Sequence, residues 1–328
     1  MRKSIFQYKW SVFLLMVFVA FTSSCFKKDD AIALPPPGSE EVFQISMGNN
    51  YEHQEYFDLE TKDTLGSSFD IWDMAFESSA SGWHIWINGG SQELIANTDT
   101  QHFAAVTDTA NRNWKWDEAS WNTDSTAIGD WRSDRFVYVL DRGPGKSGKD
   151  RFKKIIFQSV DEEHYEMQYA NLDGSDEVIY DIFKKPQFTY LYFTFATGGK
   201  TLPIEPVSPK WDLLFTRYRY IFYTEHPALP YVVTGVLINP DIEVAVDSTA
   251  NFDSINYPEV LKYTYSSERD IIGYTWKKYN FTTQAYTVKT YYNYIIRDLE
   301  GAYWKLHFID FYNAEGKKGY PQFVFQRL

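Results

Sequence analysis

The sequence is poor in cysteine and in basic charge. Cys25 is the only cysteine among 328 residues, which excludes a disulfide framework and any zinc or iron–sulfur site built from cysteines. The 32 Lys and Arg residues are outnumbered by 44 Asp and Glu, giving a net charge of -12. Such an acidic chain is unsuited to following nucleic-acid phosphates, so we expect no nucleic-acid partner.

The motifs of common hydrolases are also missing. The six histidines are scattered, without the His-Glu-x-x-His spacing of a metal hydrolase, and no Gly-x-Ser-x-Gly segment marks a serine hydrolase. The glycine-rich segment 143–149 lacks the spacer of a phosphate-binding loop, and its Pro144 removes a backbone donor. We interpret that segment as a hairpin loop, and the sequence predicts neither an enzyme nor a metal site.

The one long apolar run lies near the N-terminus. Residues 10–21 form a 12-residue segment behind a basic start that is apolar except for Ser11, as in a secretory signal, whereas a transmembrane helix needs about 20. Small residues then precede Cys25, an arrangement that resembles the lipobox of bacterial lipoproteins. We predict a lipoprotein signal peptide over 1–24, lipidation of Cys25 and a proline-containing tether over 25–40.

This N-terminus predicts where the protein resides. The charged residues 27–30 resemble the export signal of Bacteroidetes surface lipoproteins. We therefore expect a lipoprotein of the outer membrane, exposed at the cell surface and attached to the membrane through its lipid anchor only. An ordinary signal peptide followed by an incidental thiol at Cys25 is the alternative.

Aromatic residues are in excess. The chain has 11 Trp, 25 Tyr and 25 Phe, or 19%, and such rings favour strands and flat binding surfaces. Beyond residue 41 no window keeps a helical period, whereas short alternating runs of β-branched and aromatic residues recur, as in 188–195, 231–238 and 286–296. The sequence predicts an all-β fold of antiparallel sheets in which any helix is short.

The sequence also predicts an internal duplication. Segments 56–76 and 192–215 each begin with an aromatic strand, continue through a turn with lysine, and end with Trp-Asp before apolar residues and Phe. We therefore predict two tandem β units, 41–191 and 192–328. The two units either form separable domains or share one continuous sheet.

Each predicted unit places an acidic residue inside an apolar strand. We interpret Asp73 and Asp212 as structural carboxylates that accept hydrogen bonds from a turn beside a buried tryptophan. A catalytic carboxylate pair is the alternative, although no partner or nucleophile lies nearby in sequence.

Several ordered segments connect the chain to a known family. They are 72–76 (WDMAF) in the first unit, and 211–215 (WDLLF), 305–308 (KLHF), 310–312 (DFY) and 316–319 (GKKG) in the second. As a set these segments resemble the HmuY-type haem-binding lipoproteins of Bacteroidetes, with two tandem copies of the domain. The resemblance implies an antiparallel β protein that binds haem, or a related tetrapyrrole, and passes it to a TonB-dependent receptor in the outer membrane.

The resemblance also indicates where haem ligands belong. Haem needs an apolar, aromatic surface and one or two axial side chains. The family's ligand positions correspond to 277–281 and 247–256, and neither segment holds His or Met. Tyr279 is a candidate phenolate ligand, with simple packing as the alternative. His84, between two tryptophans, and His226, in the corresponding loop of the second unit, are the other candidates.

A tryptophan cluster supports an alternative function. Four tryptophans fall within 113–131, namely Trp114, Trp116, Trp121 and Trp131. Such rings can stack on sugar faces. The alternative is therefore a glycan-binding or assembly module of an outer-membrane uptake system.

Overall fold

β-Strands account for nearly all regular structure in the described chain. The computed structural model describes residues 36–208 and 210–328, so the predicted signal peptide, Cys25 and residues 25–35 of the tether lie outside the described residues. The strands, in chain order, are β1 (Glu41–Gln44), β2 (His53–Phe57), β3 (Thr64–Ser68), β4 (Met74–Glu77), β5 (Ile85–Ile87), β6 (Leu94–Asn97), β7 (Val137–Asp141), β8 (Phe152–Val160), β9 (His164–Asn171), β10 (Val178–Phe183), β11 (Tyr190–Thr194), β12 (Lys200–Leu202), β13 (Leu213–Phe222), β14 (Leu229–Ile238), β15 (Glu243–Asp247), β16 (Lys277–Asn280), β17 (Ala285–Val288), β18 (Asn293–Arg297), β19 (Tyr303–Tyr312) and β20 (Lys318–Arg327).

Helices are short, as the sequence predicts. One α-helix, α1 (Tyr257–Val260), begins with a proline at its first turn. Single 3-10 turns cover Gly89–Ser91, Phe103–Ala105, Thr123–Ser125, Gly148–Asp150, Ala196–Gly198 and Phe252–Ser254. None of the helices within 36–208 and 210–328 has the length and apolar character needed to cross a bilayer.

The strands assemble into two large sheets, two smaller sheets and one hairpin. The five-stranded sheets have the orders β1-β20-β19-β18-β15 and β10-β9-β8-β7-β6, and the four-stranded sheets have the orders β12-β11-β4-β5 and β14-β13-β2-β3. Strands β16 and β17 pair only with each other. The pairs between neighbouring strands are antiparallel, so the predicted all-β antiparallel fold is confirmed.

The burial of each strand follows from its place in these layers. β20 alternates between buried and half-buried residues, because one face of its sheet packs on the core and the other faces outward. β11 and β5 are buried at every position, because both faces of their sheet are covered. Continuous apolar runs such as 190–194 therefore mark strands of the inner, four-stranded sheets.

Each five-stranded sheet packs against one four-stranded sheet. One core joins Phe57 and Phe215 of the β14-β13-β2-β3 sheet to Phe308 and Phe323 of β19 and β20. A second core joins β4, β5 and β11 to β7, β8, β9 and β10. The other faces of the two four-stranded sheets meet at Tyr56 and Tyr192, whose hydroxyls lie 3.0 Å apart, so an aromatic layer lies between the two sandwiches.

The two Trp-Asp segments make matching contacts in the two four-stranded sheets. The backbone N–H of Asp73 donates to the carbonyl of Phe193 at 2.8 Å, and that of Asp212 donates to the carbonyl of Phe57 at 2.9 Å. Each carboxylate also accepts hydrogen bonds from the chain around it, as its structural interpretation requires: Asp73 from the N–H of Phe195 and Asp212 from that of Leu59. Neither carboxylate contacts the other.

An asparagine supports each Trp-Asp segment in the same way. The side-chain amide of Asn88 donates to the carbonyl of Trp72 at 2.9 Å, and that of Asn239 donates to the carbonyl of Trp211 at 2.9 Å. These paired contacts occur in the two halves that the sequence predicts to be duplicated.

Strand pairing crosses the predicted junction between residues 191 and 192. β1 pairs with β20, β2 pairs with β13, and β4 pairs with β11. Residues 37–328 form one compact unit. The division into units 41–191 and 192–328 stays a prediction, and the two halves share sheets.

Candidate functional site

Two neighbouring hairpins carry aromatic rings that we call the hairpin aromatic surface: the exposed rings of Tyr231 in β14 and Phe281 just beyond β16, and the half-buried rings of Tyr279 in β16 and Tyr286 in β17. Tyr279 lies opposite Tyr286 across the β16–β17 pair, and the ring centroids are 4.9 Å apart. Phe281 is 83% exposed and Tyr231 57% exposed. Alternation along a two-stranded hairpin places these rings on one face, which gives an apolar surface open to solvent.

The hairpin aromatic surface rests on further phenols from the five-stranded sheet. Tyr286 packs against Phe311 at 4.9 Å between ring centroids, and its backbone N–H donates to the hydroxyl of Tyr312 at 2.6 Å. Burial raises the pKa of Tyr286. The side-chain ammonium of Lys277 in β16 donates to the carbonyl of Thr234 in β14, so the β13–β14 and β16–β17 hairpins come together here.

Two of the three predicted haem ligands lie on these two hairpins. Tyr279 is half-buried within the hairpin aromatic surface, and its ring meets that of Phe281 edge-on at 5.1 Å. His226 is exposed in the turn between β13 and β14, the hairpin that also carries Tyr231. Tyr279 therefore lies on one of the two hairpins and His226 in the turn of the other.

His84 lies elsewhere, in the β4–β5 turn. Its Nδ1 is 2.6 Å from a carboxylate oxygen of Glu77, and its ring stacks on Trp83 at 3.8 Å between centroids. Burial works against ionisation of Glu77, but hydrogen bonds from the side chain and backbone of His84 and from the backbone of Trp83 lower the pKa of this carboxyl. The Glu77 contact orients the imidazole and occupies one of its nitrogens.

The four predicted stacking tryptophans do not share one surface. Trp131 is 2% exposed, and its indole N–H donates to the carbonyl of Trp83. Trp121 is stacked on Trp86 at 5.1 Å in the layer between the sandwiches. Trp114 is half-buried at 6.4 Å from Phe152, and Trp116 is half-buried. Stacking on an external sugar therefore stays a prediction. Of the four tryptophans, only Trp114 and Trp116 have exposed parts that could make such a contact.

Cavity size tests which places can hold a tetrapyrrole. The cavity between the sandwiches has a volume of about 30 Å³, whereas pockets for organic ligands measure about 300–1,000 Å³. A wider cavity of about 540 Å³ lies beside Tyr257, Arg297 and Tyr303, and its lining is mainly polar. Among the described residues no cluster of three or more His, Cys, Asp or Glu side chains could hold a bare metal ion. Neither cavity is lined by the rings of the hairpin aromatic surface, and the role of Tyr279 as a haem ligand stays a prediction.

Sequence reasoning found Tyr279 but missed its neighbours. The pattern Tyr279-Asn-Phe281, then a Thr-Thr turn, then Tyr286 places three aromatic residues at alternating positions of a hairpin, and that period was the available signal. No local signal connected Tyr231 to this hairpin, because the two meet only through tertiary packing.

The family comparison agrees with the sequence resemblance. The family model described as HmuY protein matches residues 50–325 of this chain, a span that includes the hairpin aromatic surface and most of both predicted units. A search of curated proteins found no match.

Solved structures of similar proteins were also found. The chain is 12% identical to apo PinO from Porphyromonas gingivitis, with a TM-score of 0.36 over 88% of this chain and 97% of PinO. It is 12% identical to the apo HmuY analog (TFO) of Tannerella forsythia, with a TM-score of 0.26 over 91% of this chain and 98% of that protein.

Proposed function

Because this chain belongs to the HmuY protein family, we propose that it binds haem or a related tetrapyrrole on the hairpin aromatic surface, with Tyr279 as the iron ligand. The observation that carries the proposal is the position of Tyr279. It is the one half-buried phenol in segment 277–281, where the family resemblance places a ligand, and it is flanked by the exposed ring of Phe281.

The chemistry of the surface supports this assignment. A porphyrin face buries its apolar area against rings, and phenolate is an established haem ligand. Tyr231 and Phe281 are exposed. Monomeric proteins rarely expose several aromatic rings together unless the surface binds a partner or ligand. His226, in the turn of the adjacent hairpin, is the proposed second ligand, and His84 is a less favoured candidate because Glu77 already holds its Nδ1.

The direct test is a titration of the lipid-free protein with haemin. We expect a Soret band that saturates at a one-to-one ratio. Tyr279→Phe keeps the ring and removes the oxygen, so we expect loss of the phenolate charge-transfer band and an affinity about 10-fold or more weaker, as is usual when a metal loses ligand support.

A matched control separates ligation from general damage. Tyr180 is a half-buried tyrosine of β10 in the other five-stranded sheet, and Tyr180→Phe should leave the Soret band unchanged. His226→Ala and His84→Ala belong in the same series, and only the former should alter the spectrum. A wild-type protein without a Soret band, or a Tyr279→Phe spectrum identical to the wild type, would contradict the proposal.

Glycan binding is tested in the same preparation. If haemin gives no Soret band and the protein is retained on a polysaccharide gel, the glycan-binding or assembly module is the better interpretation. Substituting Trp114 and Trp116, the two half-buried tryptophans outside the layer between the sandwiches, should then abolish retention.

We further propose that the protein is a lipoprotein of the outer membrane, anchored through Cys25 and exposed at the cell surface, and that it hands its ligand to a TonB-dependent receptor. The basis is the signal-like segment 10–21 followed by the single cysteine. Mass spectrometry of the mature N-terminus should find an acylated Cys25, and an unmodified thiol there would refute the anchor.

We also propose that the chain is an internal duplication in which the two units exchange strands. Lys154 and Lys305 are buried lysines at equivalent strands, β8 and β19; each donates to a carbonyl, of Val106 at 3.2 Å and of Phe252 at 2.9 Å respectively. β10 and β1 occupy the same edge of the two five-stranded sheets. These matches favour units β1–β9 and β10–β20, with the boundary between β9 and β10 and not at the predicted 191/192. Each unit lends its first three strands to the sheets of the other: β1, β2 and β3 join β20 and β13, and β10, β11 and β12 join β9 and β4.

A circular permutant of this chain tests the exchange of strands between the two units. The N–H of Gly38 donates to the carbonyl of Arg327 at 2.9 Å, so the two ends of the β-region are adjacent and can be joined. A chain that joins them and opens in the β9–β10 turn should fold with the wild-type circular dichroism spectrum. A permutant that stays unfolded would count against exchanged units.

A further inference from the structure

A small, partly enclosed cavity lies between the two four-stranded sheets, away from the hairpin aromatic surface. It is bordered by Trp72, Trp121, Tyr218 and Arg269 among others, and its volume is about 30 Å³. One water molecule takes a share of about 30 Å³ in the liquid. The cavity is therefore the size of one or two waters or of one monatomic ion.

Unpaired donors border this cavity. In the part of the chain that the structure describes, the indole N–H of Trp72, the hydroxyl of Tyr218, and Nε and one terminal nitrogen of Arg269 are buried without a hydrogen-bond partner. Arg269 is 2% exposed. Buried donors of this kind are normally satisfied, and an unpaired guanidinium is the most costly of them.

The acceptors around the cavity are already engaged. The two carboxylate oxygens of Asp117 accept the backbone N–H groups of Ile87 and Ala127, each at 2.7 Å. Glu118 is hydrogen-bonded to the hydroxyl of Tyr223. The side-chain oxygen of Gln54 accepts from Thr216. Asp117, Gln54 and one oxygen of Glu118 therefore already accept hydrogen bonds, whereas the buried unpaired groups of the described lining are N–H and O–H donors, which suits an anion.

Charge points in the same direction. Three guanidinium groups border the cavity, from Arg217, Arg219 and Arg269, against the two acids Asp117 and Glu118. Arg269 makes no salt bridge within the described residues, and its guanidinium lies 3.6 Å over the ring of Trp121. A ring face offsets only part of the cost of burying a full charge.

We propose that this cavity binds a small inorganic anion of halide size, chloride in the first instance, held by the Arg269 guanidinium and the Trp72 indole N–H. An anion there would join the two four-stranded sheets, because Trp72 precedes β4 of one sheet while the N–H of Ile238, in β14 of the other, donates to the carbonyl of Arg269. The site is independent of the proposed haem ligands.

Thermal unfolding of the full chain tests the proposal. Titration of sodium chloride into sodium gluconate at constant ionic strength should raise the unfolding temperature saturably, by roughly 5 °C once chloride exceeds its Kd about 100-fold. Bound chloride should also broaden the chloride NMR line, and excess bromide should reverse the broadening.

Two variants assign the effect to this cavity. Arg269→Gln should abolish the chloride dependence. Trp72→Phe retains an aromatic ring and every charge but lacks the N–H. The chloride concentration that gives half of the rise in unfolding temperature, the chloride midpoint, should therefore increase by roughly 10-fold. The matched control is Arg132→Gln, because Arg132 also lies over a tryptophan, Trp83 at 3.8 Å, but is exposed and outside the cavity.

The outcomes are distinct. Arg132→Gln with wild-type chloride dependence, together with loss or weakening in the other two variants, supports the site. Equal unfolding temperatures in chloride and gluconate overturn it, and so does a Trp72→Phe protein that folds and keeps the wild-type midpoint. None of these results depends on haemin, so a failure here is separable from a failure of the proposed function.

Discussion

Asp73 and Asp212 occupy matching positions but differ in their partners, so the same substitution should have opposite effects. The carboxylate of Asp73 holds Arg142 in a two-point ion pair at 2.7 and 3.0 Å, with both side chains at most 3% exposed. It also accepts the hydroxyl of Thr194 at 2.9 Å. Asp73→Asn leaves a buried guanidinium without its counter-charge, which costs about 3–5 kcal/mol.

Asp212 lacks a cation among the described residues and accepts one backbone N–H, from Leu59 at 2.8 Å. Burial raises the pKa of Asp212 from 3.8 to about 8; the Leu59 hydrogen bond opposes this, and the charge of Asp58 adds to it. At pH 7 the unfolded chain ionises this carboxyl while the folded chain keeps it protonated. Because pH 7 lies about three units above the pKa of 3.8 in the unfolded chain, keeping this carboxyl protonated costs the folded state about 4 kcal/mol.

The pH dependence follows from the sign of that shift. Because the folded pKa lies above the unfolded one, the stability that Asp212 contributes is complete below pH 3.8 and is lost as the pH rises to about 8. The amide introduced by Asp212→Asn cannot ionise, and its oxygen can still accept from Leu59. This substitution should therefore be stabilising relative to wild type, by about 1 kcal/mol more for each pH unit between about 5 and 8.

Urea unfolding followed by tryptophan fluorescence at pH 5, 7 and 8 measures both variants. We expect Asp73→Asn to lose a similar free energy of unfolding at all three pH values, since Arg142 stays charged. We expect the free energy of unfolding of Asp212→Asn to increase relative to wild type as the pH rises. If both variants lose the same free energy with no pH trend, the assignment of one paired and one protonated carboxylate is wrong.

Two further substitutions test a buried lysine of the β16–β17 hairpin and a glycine of the loop after β7. Burial lowers the pKa of Lys277 from 10.5 to about 7. The stability that Lys277 contributes is therefore complete only above its pKa in the unfolded chain, and it is lost as the pH falls to about 7. In urea titrations Lys277→Met should be more stable than wild type, with the largest difference at pH 6 and the smallest near pH 10. Gly143 has φ +84°, and an added Cβ would overlap the carbonyl oxygen of Ser91; Gly143→Ala should lose roughly 2 kcal/mol or more. Gly145→Ala, where a Cβ meets nothing within 4 Å, is its control, and equal unfolding temperatures for the two alanine variants would contradict the strain argument.

Local pattern was enough to predict the fold class, the family and some of the strands, but the run 286–296 is divided between β17 and β18. The run 188–195 became β11, and 231–238 lies within β14, because alternation and continuous apolar character depend on neighbouring residues alone. Asp73 and Asp212 do accept backbone hydrogen bonds, in agreement with their structural interpretation. The donors, Phe195 and Leu59, lie 122 and 153 residues away in the chain, so local pattern could not have identified them.

Partners distant in the chain were decided by tertiary structure. Nothing local indicates that Glu41–Gln44 pairs with the last strand, or that the Asp73 carboxylate meets Arg142 while Asp212 meets no cation among the described residues. Pairing over such separations is selected by the packing of the entire core, which no short window contains. Arg269 shows the limit most clearly: in sequence it is one arginine in a polar stretch, and only the meeting of two sheets buries it beside Trp121.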